Sequence, residues 1–169
     1  MRIGVISDTH IPAKAKEIPK EVLEAFKKVD MVIHAGDLVD LSVLDQLKEV
    51  CPNVLAVYGN MDPEGVSAKL PQRIVFNAGN FKIGVTHGFG SPDSLVRVLS
   101  EIFKHDKVDV IIFGHSHEAF NGKVKGVLFF NPGSATDKVL VEYNSYGIIE
   151  INGTIEARII KLRGVMTSV

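Results

Sequence analysis

Short apolar runs alternate with amphipathic segments along the first half of the chain. Runs rich in Ile and Val predict buried strands, whereas Val22, Leu23 and Phe26 recur at helical spacing and predict one apolar face. Pro19 precedes this face and suits a first helical position. The predicted βαβαβ series is a strand over 2–7, a helix over 19–28, a strand over 30–34, a helix over 41–49 and a strand over 53–58.

The second half changes from this alternation to strands. The predicted elements are a strand from Ile74, the strand Phe81–Thr86, a helix from Pro92 to about Phe103 and the strand Val108–Phe113. An antiparallel meander is predicted over 117–162, with turns at Asn121-Gly122, at Asn152-Gly153 and, more loosely, over Asn144-Ser145-Tyr146-Gly147. Periodicity therefore predicts an α/β core with an antiparallel extension. We expect a single domain over 1–169, with 163–169 as a frayed tail.

Composition and charge are typical of a globular protein. Hydrophobic residues make up 46% and charged residues 23% of the 169 residues, which favours one packed domain without long disordered tracts. The net charge of -1 lacks the basic excess of nucleic-acid-binding modules, so long DNA or RNA is not an expected partner. One cysteine, no signal-peptide pattern and no apolar stretch of about 18 residues favour a cytoplasmic protein without membrane association. The sequence leaves a homo-oligomer open.

Polar side chains follow five of the apolar runs, at the point where each predicted strand ends. Asp8 and His10 follow the first run, and His115 and His117 follow the run over 110–113. Because the carboxyl ends of parallel strands open onto one crevice, we expect these side chains to converge. The candidate metal ligands are Asp8, His10, Asp37, Asn60, His87, His115 and His117.

This donor set suits transition metals. Carboxylate, imidazole and one amide oxygen favour Mn, Ni, Fe, Co or Zn over Mg or Ca. Seven ligands are too many for one ion, and with one bridging carboxylate they supply four contacts to each of two ions. The sequence therefore predicts two divalent ions, with Mn as the first expectation, and no other cofactor. A P-loop, a dinucleotide-binding glycine triplet and a serine nucleophile elbow do not occur in the sequence, so water is the expected nucleophile.

Five of the candidate ligands also have a purely structural interpretation, which for His115 and His117 is a polar loop end after the strand. Asp8 and Asp37 suit helix or turn caps, and Asn60 after Gly59 suits a turn with positive φ. Their shared placement after strands favours ligation.

Four further residues have open or structural roles. His34 is expected to be a partner of a ligand or a buried structural histidine, and Asp62 is equally an orienting group or a turn residue before a proline. His105 is expected on the surface, and Cys51 as an inert thiol.

In their order along the chain, the motifs Asp8-Thr9-His10, Gly36-Asp37, Gly59-Asn60, His87-Gly88 and Gly114-His115-Ser116-His117 resemble those of the calcineurin-like metallophosphoesterase superfamily. The length resembles its small single-domain YfcE-like branch, and the match covers roughly residues 1 to 137. The resemblance implies a two-sheet αββα sandwich with mixed sheets, with the turn Asn131-Pro132-Gly133-Ser134 beneath the site. It also implies these ligand sets: Asp8, His10 and His117 for the first metal, Asn60, His87 and His115 for the second, and Asp37 as the bridge.

The function implied by the resemblance is a dinuclear metal-dependent phosphoesterase. The expected activity is that of a phosphodiesterase on small or activated phosphodiesters, in which a metal-bridging hydroxide attacks phosphorus and the ligands Asn60 and His87 shape the pocket. The retromer subunit shares this fold and is mainly a scaffold. A non-catalytic metal-binding scaffold or protein-interaction module is therefore the alternative.

Two positions depart from the family pattern. Met61 stands where the family has a proton-donating histidine, and a thioether cannot donate a proton. Phe89 stands where the small branch often has another histidine. General-acid help is therefore expected to be missing, which favours aryl phosphodiesters and other activated esters over alkyl monoesters.

Overall fold

Strands and helices alternate in the first half of the computed structural model, which describes residues 1–163. The strands are β1 (Arg2–Ile6), β2 (Met31–His34), β3 (Val54–Ala56), β4 (Arg73–Ala78), β5 (Phe81–Thr86), β6 (Val110–Ile112), β7 (Phe120–Val124), β8 (Val127–Asn131), β9 (Ser145–Ile151) and β10 (Ile155–Lys161). The helices are α1 (Lys20–Phe26), α2 (Ser42–Val50), α3 (Glu64–Ser67) and α4 (Leu95–Ile102), and a 3-10 turn over Pro92–Ser94 precedes α4. Apart from Arg163, the predicted frayed tail lies outside the described residues.

The strands form two mixed sheets. In the first sheet, β1, β2 and β3 are parallel and β9 pairs antiparallel with β1, in the order β10-β9-β1-β2-β3. In the second sheet, β5, β6 and β8 are parallel, in the order β4-β5-β6-β8-β7. The predicted βαβαβ series is confirmed: β1, β2 and β3 are parallel, and α1 and α2 lie between them in the sequence.

Apolar side chains pack in three layers. Between the sheets, Val5 and Ile33 of the first sheet share one buried cluster with Val85 and Ile112 of the second. The outer face of the first sheet is covered by α1 and α2, which contribute Val22, Phe26, Val43, Leu44 and Leu47. The outer face of the second sheet is covered by α4, through Leu95 and Leu99. These layers form the expected αββα sandwich.

The meander predicted over 117–162 is wrong. β7 and β8 form a hairpin in the second sheet, whereas β9 and β10 form a hairpin at the edge of the first. Asn121-Gly122 lies within β7, and the turn falls instead at Lys125-Gly126, where both residues have positive φ. The looser turn signal over 144–147 falls largely within β9. Burial of the apolar run in β8 against β6 outweighs the turn signal at Asn121-Gly122, and pairing of β9 with β1 outweighs the looser signal.

Other local predictions hold with small shifts. Asn152-Gly153 does form the β9–β10 turn, with Gly153 at φ 71°. The predicted helix from Pro92 begins as the 3-10 turn, and the short helix α3 was not predicted. Among the described residues, no helix is long and apolar enough to cross a bilayer.

Candidate metal centre

The seven candidate ligands lie on the loops that follow β1, β2, β3, β5 and β6. Backbone hydrogen bonds tie these loops together, since the Asp8 N–H donates to Gly36 O at 3.0 Å and the Gly114 N–H donates to His87 O at 3.1 Å. An isolated parallel bridge between Ser7 and Ser134 joins the end of β1 to the chain that follows β8. The carboxyl ends of strands in both sheets therefore meet at one edge, as the sequence predicts.

Four of these residues form a buried cluster that we call the inner group: Asp8, His10, Asp37 and His117. One ligand atom from each lies within 4.8 Å of all the others. Nε2 of His10 lies 3.1 Å from Nε2 of His117 and 3.6 Å from Asp37 Oδ2, and Nε2 of His117 lies 3.5 Å from Asp8 Oδ1. Ligands that share one ion through bonds of about 2.0–2.2 Å stand roughly 3 to 3.5 Å apart, so this spacing fits a single metal ion.

The other three residues, Asn60, His87 and His115, form the outer group. Oδ1 of Asn60 lies 2.8 Å from Nδ1 of His115. Nε2 of His87 lies 3.3 Å from Asp37 Oδ2, and the rings of His87 and His115 meet edge to face with centroids 5.4 Å apart. Asp37 makes the closer carboxylate contact with the His87 ring. Asp8 Oδ1 lies 3.9 Å from the same Nε2, and the Asp8 carboxylate accepts the backbone N–H of His115.

Three histidines of the centre are each oriented by a hydrogen bond at one ring nitrogen. The other ring nitrogen faces a carboxylate of the centre or the Asn60 amide. His87 donates from Nδ1 to Ala35 O at 2.8 Å, and His117 donates from Nδ1 to Asp137 Oδ2 at 2.5 Å. His115 lies with Nε2 2.9 Å from Gly90 O. Such partners fix the tautomer and leave the other nitrogen with a lone pair for a metal.

Two unsatisfied contacts indicate that the residues fit a cation. Nε2 of His87 is buried and makes no hydrogen bond of good geometry among the described residues. It lies 3.3 Å from Asp37 Oδ2, so it needs either a proton or a metal ion between it and this carboxylate. A neutral His115 has one N–H, which can serve either Gly90 O or Asn60 Oδ1 but not both. If the N–H is on Nε2 and donates to Gly90 O, Nδ1 and the Asn60 oxygen face each other as two acceptors, and a cation bound to both would satisfy them.

The backbone at the centre is strained. Asp8, His10, Asp37, His115 and His117 all have positive φ, between 44° and 74°, a region that residues other than glycine rarely adopt. Such conformations cost about 1–3 kcal/mol each and persist where the surrounding structure enforces them, commonly at functional sites. The strain supports a functional interpretation of these loops over a capping role.

Two glycines make close approach possible. A Cβ at Gly59 would collide with the Asp37 carboxylate, and a Cβ at Gly114 would collide with Ser7 and Asp8. Only a residue without a side chain lets these loops pass so near the carboxylates.

Burial and charge act in opposite directions on the acids and histidines. Burial raises the pKa of Asp8 and lowers that of His10. Burial also lowers the pKa of His87, but the carboxylates of Asp37 and Asp8 outweigh it and raise this pKa to about 9. Without a metal, His87 is therefore the cation that balances the buried carboxylates at neutral pH.

His34 and Asp62 both have clear structural roles. His34 is fully buried and accepts the Gly36 N–H on Nδ1 while Nε2 donates to Thr9 Oγ1 at 3.0 Å, so it links the loops after β1 and β2. Burial lowers its pKa to about 3, which keeps it neutral. The Asp62 carboxylate accepts three backbone N–H groups, from Asp37, Val39 and Gly59, and so clamps the loops after β2 and β3.

Sequence reasoning missed Asp137. Its carboxylate is fully buried, binds His117 and accepts the N–H groups of Val139 and Leu140. Burial raises the pKa of Asp137, but these donors outweigh it and lower the pKa to about 2, so the group is an anion at neutral pH. The signal in the sequence was an acid shortly after the Asn131–Ser134 turn, which does lie beneath the site, with Ser134 donating to Asp8 O at 2.8 Å.

The four remaining residues that the sequence singled out differ in their exposure to solvent. Met61 and Phe89 flank the outer group and are 59% and 57% exposed. His105 is exposed, as expected, and Cys51 is buried, which fits the inert-thiol interpretation.

Comparison with known proteins agrees with this architecture. A probable metallophosphoesterase of Methanothermobacter thermautotrophicus is 37% identical over 162 residues, covering 95% of this chain and 92% of that relative. The solved structure of an archaeal phosphodiesterase is similar, with a TM-score of 0.78 and 31% identity, and the match covers 96% of this chain and 100% of that chain. Vps29 of Entamoeba histolytica, solved in complex with zinc, is similar with a TM-score of 0.75 and 28% identity, covering 95% of this chain and 99% of that one.

The sequence model of the calcineurin-like phosphoesterase superfamily domain matches residues 1–154, which is most of the chain. Together with the two mixed sheets and the Asp/His cluster at their shared edge, this match shows that the chain belongs to the calcineurin-like phosphoesterase superfamily.

Proposed function

We propose that the protein is a dinuclear metal-dependent phosphodiesterase that hydrolyses small or activated phosphodiesters. The observation that carries the proposal is the position of Asp37. Its Oδ2 lies 3.6 Å from Nε2 of His10 in the inner group and 3.3 Å from Nε2 of His87 in the outer group. A carboxylate between two sets of ligands suits a bridge between two ions. The archaeal phosphodiesterase named above, similar over 96% of this chain, supports the reaction class.

Each ligand set has a defined role in this proposal. Asp8, His10 and His117 hold the first ion, Asn60, His87 and His115 hold the second, and Asp37 contacts both. Two divalent ions at this site would hold phosphate oxygens and lower the pKa of a bound water to roughly 7. Mn is the proposed metal, and the mixed donor set also accommodates Ni, Fe, Co or Zn.

The chain's own residues position these ligands. Asp137 holds the His117 ring, and Ala35 O holds the His87 ring, so neither imidazole has to reorient when a metal binds. The Met61 N–H donates to Asp37 Oδ1 at 2.7 Å, which fixes the carboxylate between the two groups.

Met61 sets the preference for the leaving group. It lies next to Asn60, is largely exposed and cannot donate a proton, so the departing group receives no general-acid help from this position. Such help is typically worth ~10² to ~10⁴ in rate. Aryl diesters, whose leaving groups need little protonation, are therefore the favoured substrates.

The partner of this site is a small phosphoester rather than a long nucleic acid. The net charge of -1 gives the protein no excess of cations to release phosphate counterions. Duplex DNA is expected to bind weakly and with a shallow salt dependence, which a titration at two salt concentrations measures.

The decisive experiment combines metal analysis with turnover. The purified protein is depleted with a chelator, reloaded with Mn, Ni, Fe, Co or Zn, and assayed with bis(p-nitrophenyl) phosphate and with p-nitrophenyl phosphate. Two ions per chain and a faster diester reaction are expected. One ion per chain, or a faster monoester reaction, would contradict the dinuclear diesterase.

The alternative is a scaffold of the same fold, and the similarity to Vps29 over 95% of this chain is the observation that favours it. A scaffold predicts no turnover with any added metal. The intact ligand set argues against a scaffold that does without metal, because such a scaffold does not need three histidine tautomers fixed toward one site. Turnover alone separates the enzyme from a metal-binding scaffold.

A further inference from the structure

A groove of about 350 Å³ opens beside the outer group. Asn60 and His87 line one end of it, and Tyr58, Phe89 and Ile102 supply apolar or aromatic walls. Its volume lies at the small end of ligand pockets, which run from roughly 300 to 1,000 Å³. The groove is continuous with two candidate metal ligands, so any phosphoester held by the outer group would extend one substituent toward it.

Phe89 is the feature of the groove that packing does not explain. Its side chain is 57% exposed and lines the groove together with Tyr58 and Ile102. Gly88 and Gly90 on either side have φ of 90° and 95°, and Gly90 O contacts Nε2 of His115 at 2.9 Å. The loop that presents Phe89 is therefore anchored to a residue of the outer group.

Apart from His87, which the proposed metal would hold, the described lining of the groove carries little charge. Among the described residues that line it, Arg73 is the only Lys or Arg. Its guanidinium is already bound to Asp106 at 2.5 Å and lies over the Phe103 ring at 4.8 Å. The groove therefore offers no free cation of this type for a second phosphate, and its aromatic walls suit a planar ring.

We propose that this groove binds a planar aromatic substituent of the phosphodiester, with Phe89 as the specificity-determining residue. The proposal rests on the proposed function, because the phosphate is placed at the metal centre. Both an aryl ester and the base of a nucleotide have this chemistry.

The test uses non-hydrolysable probes, so that it does not depend on turnover. Binding of phenylphosphonate and methylphosphonate to the Mn-loaded protein is measured by calorimetry. We expect phenylphosphonate to bind about tenfold more tightly, and Phe89→Ala to remove most of this difference while methylphosphonate binding stays unchanged. Phe89→Trp should retain the preference.

Phe120→Ala is the matched control, because Phe120 is also an exposed phenylalanine, at 40%, but lies outside the groove. It should leave both affinities unchanged. Equal affinities for the two phosphonates, or a preference that survives Phe89→Ala, would overturn the proposal.

Turnover separates the two sources of the aromatic group and separates this proposal from the function. A loss of cyclic-nucleotide turnover in Phe89→Ala, beyond that for bis(p-nitrophenyl) phosphate, would assign the groove to a base, and the reverse would assign it to an aryl ester. If diester turnover is normal but no aryl preference appears, the groove proposal fails and the function stands. If the aryl preference depends on Phe89 but no diester is hydrolysed, the proposed function fails and the subsite stands.

Discussion

The inner and outer groups contain similar side chains but differ in their exposure to solvent. All four residues of the inner group are at most 9% exposed, and Asp137 and Ser134 support them from a buried layer beneath. In the outer group, Asn60 is exposed and His115 is half-buried, and only His87 is enclosed. Ligands fixed by buried partners bind a metal with little reorganisation, whereas exposed ligands leave room for substrate. We therefore expect the inner ion to bind more tightly and substrate to enter on the outer side.

The largest effect is expected from the residue that both groups share. In Asp37→Asn, a neutral amide replaces the carboxylate that faces His10 and His87, so both ions should bind more weakly and turnover should fall by more than ~10²-fold, beyond the loss typical of a supporting residue. Metal content by mass spectrometry and a diester assay measure this. Asp45→Asn, on the exposed face of α2, is the control. Two tightly bound ions with full turnover in Asp37→Asn would remove the bridge assignment.

Met61→His tests whether the outer group lacks a proton donor for the leaving group. A histidine beside Asn60 would supply a proton donor to the leaving group, so the monoester-to-diester ratio of turnover should rise by up to ~10²-fold. The p-nitrophenyl diester should gain little, because its leaving group needs scarcely any protonation. Met61→Leu, which changes shape without adding a proton, should leave the ratio unchanged. An equal ratio in all three proteins, with both metals bound, would mean that pocket shape sets the preference.

Asp137→Asn tests the buried support of the inner group. The amide is a weaker acceptor for the His117 N–H, so affinity for the inner ion should fall by ~10- to ~100-fold while the outer ion is retained. Metal titration of the chelator-treated protein resolves the two sites. Equal weakening of both ions would show that the two groups are not independent.

The most gradual effect is a dependence on pH, of at most about tenfold in outer-ion affinity for each pH unit. The raised pKa of His87, about 9, means that an ion must displace a proton from this ring, so affinity for the outer ion should rise by up to about tenfold per pH unit between pH 6.5 and 9. In the metal-free protein, the same raised pKa contributes stability that is complete below pH 6.5 and is lost as the pH rises through about 9. Thermal melts with and without metal across this range check both statements. An identical pH profile for the two forms would contradict the assignment of the proton to His87.

Local sequence signals predicted an element correctly where its structure depends on the spacing of apolar residues within the same segment. The repeats of Val22 and Phe26 and the apolar run before Asp8 gave the helix and the strand, because spacing alone determines which face is buried. Asn121-Gly122 misled for the opposite reason. This strong local turn signal lies within β7. The apolar run of β8 is buried beside β6, and β7 pairs with β8 along its whole length.

The sequence by itself determined the types of the candidate ligands, their order and their placement after strands, since each is a local property. The tertiary structure alone decided that Asp137 supports His117, that Asp62 accepts three backbone N–H groups from the loops after β2 and β3, and that Phe89 faces a groove beside the outer group. These facts depend on contacts between loops that are separate in the sequence, within one sheet for Asp62 and Asp137 and between the two sheets for the groove. Hydrophobic periodicity specifies which side of a strand is buried, but the distance between two loop side chains is set only when the strands pair and the sheets pack.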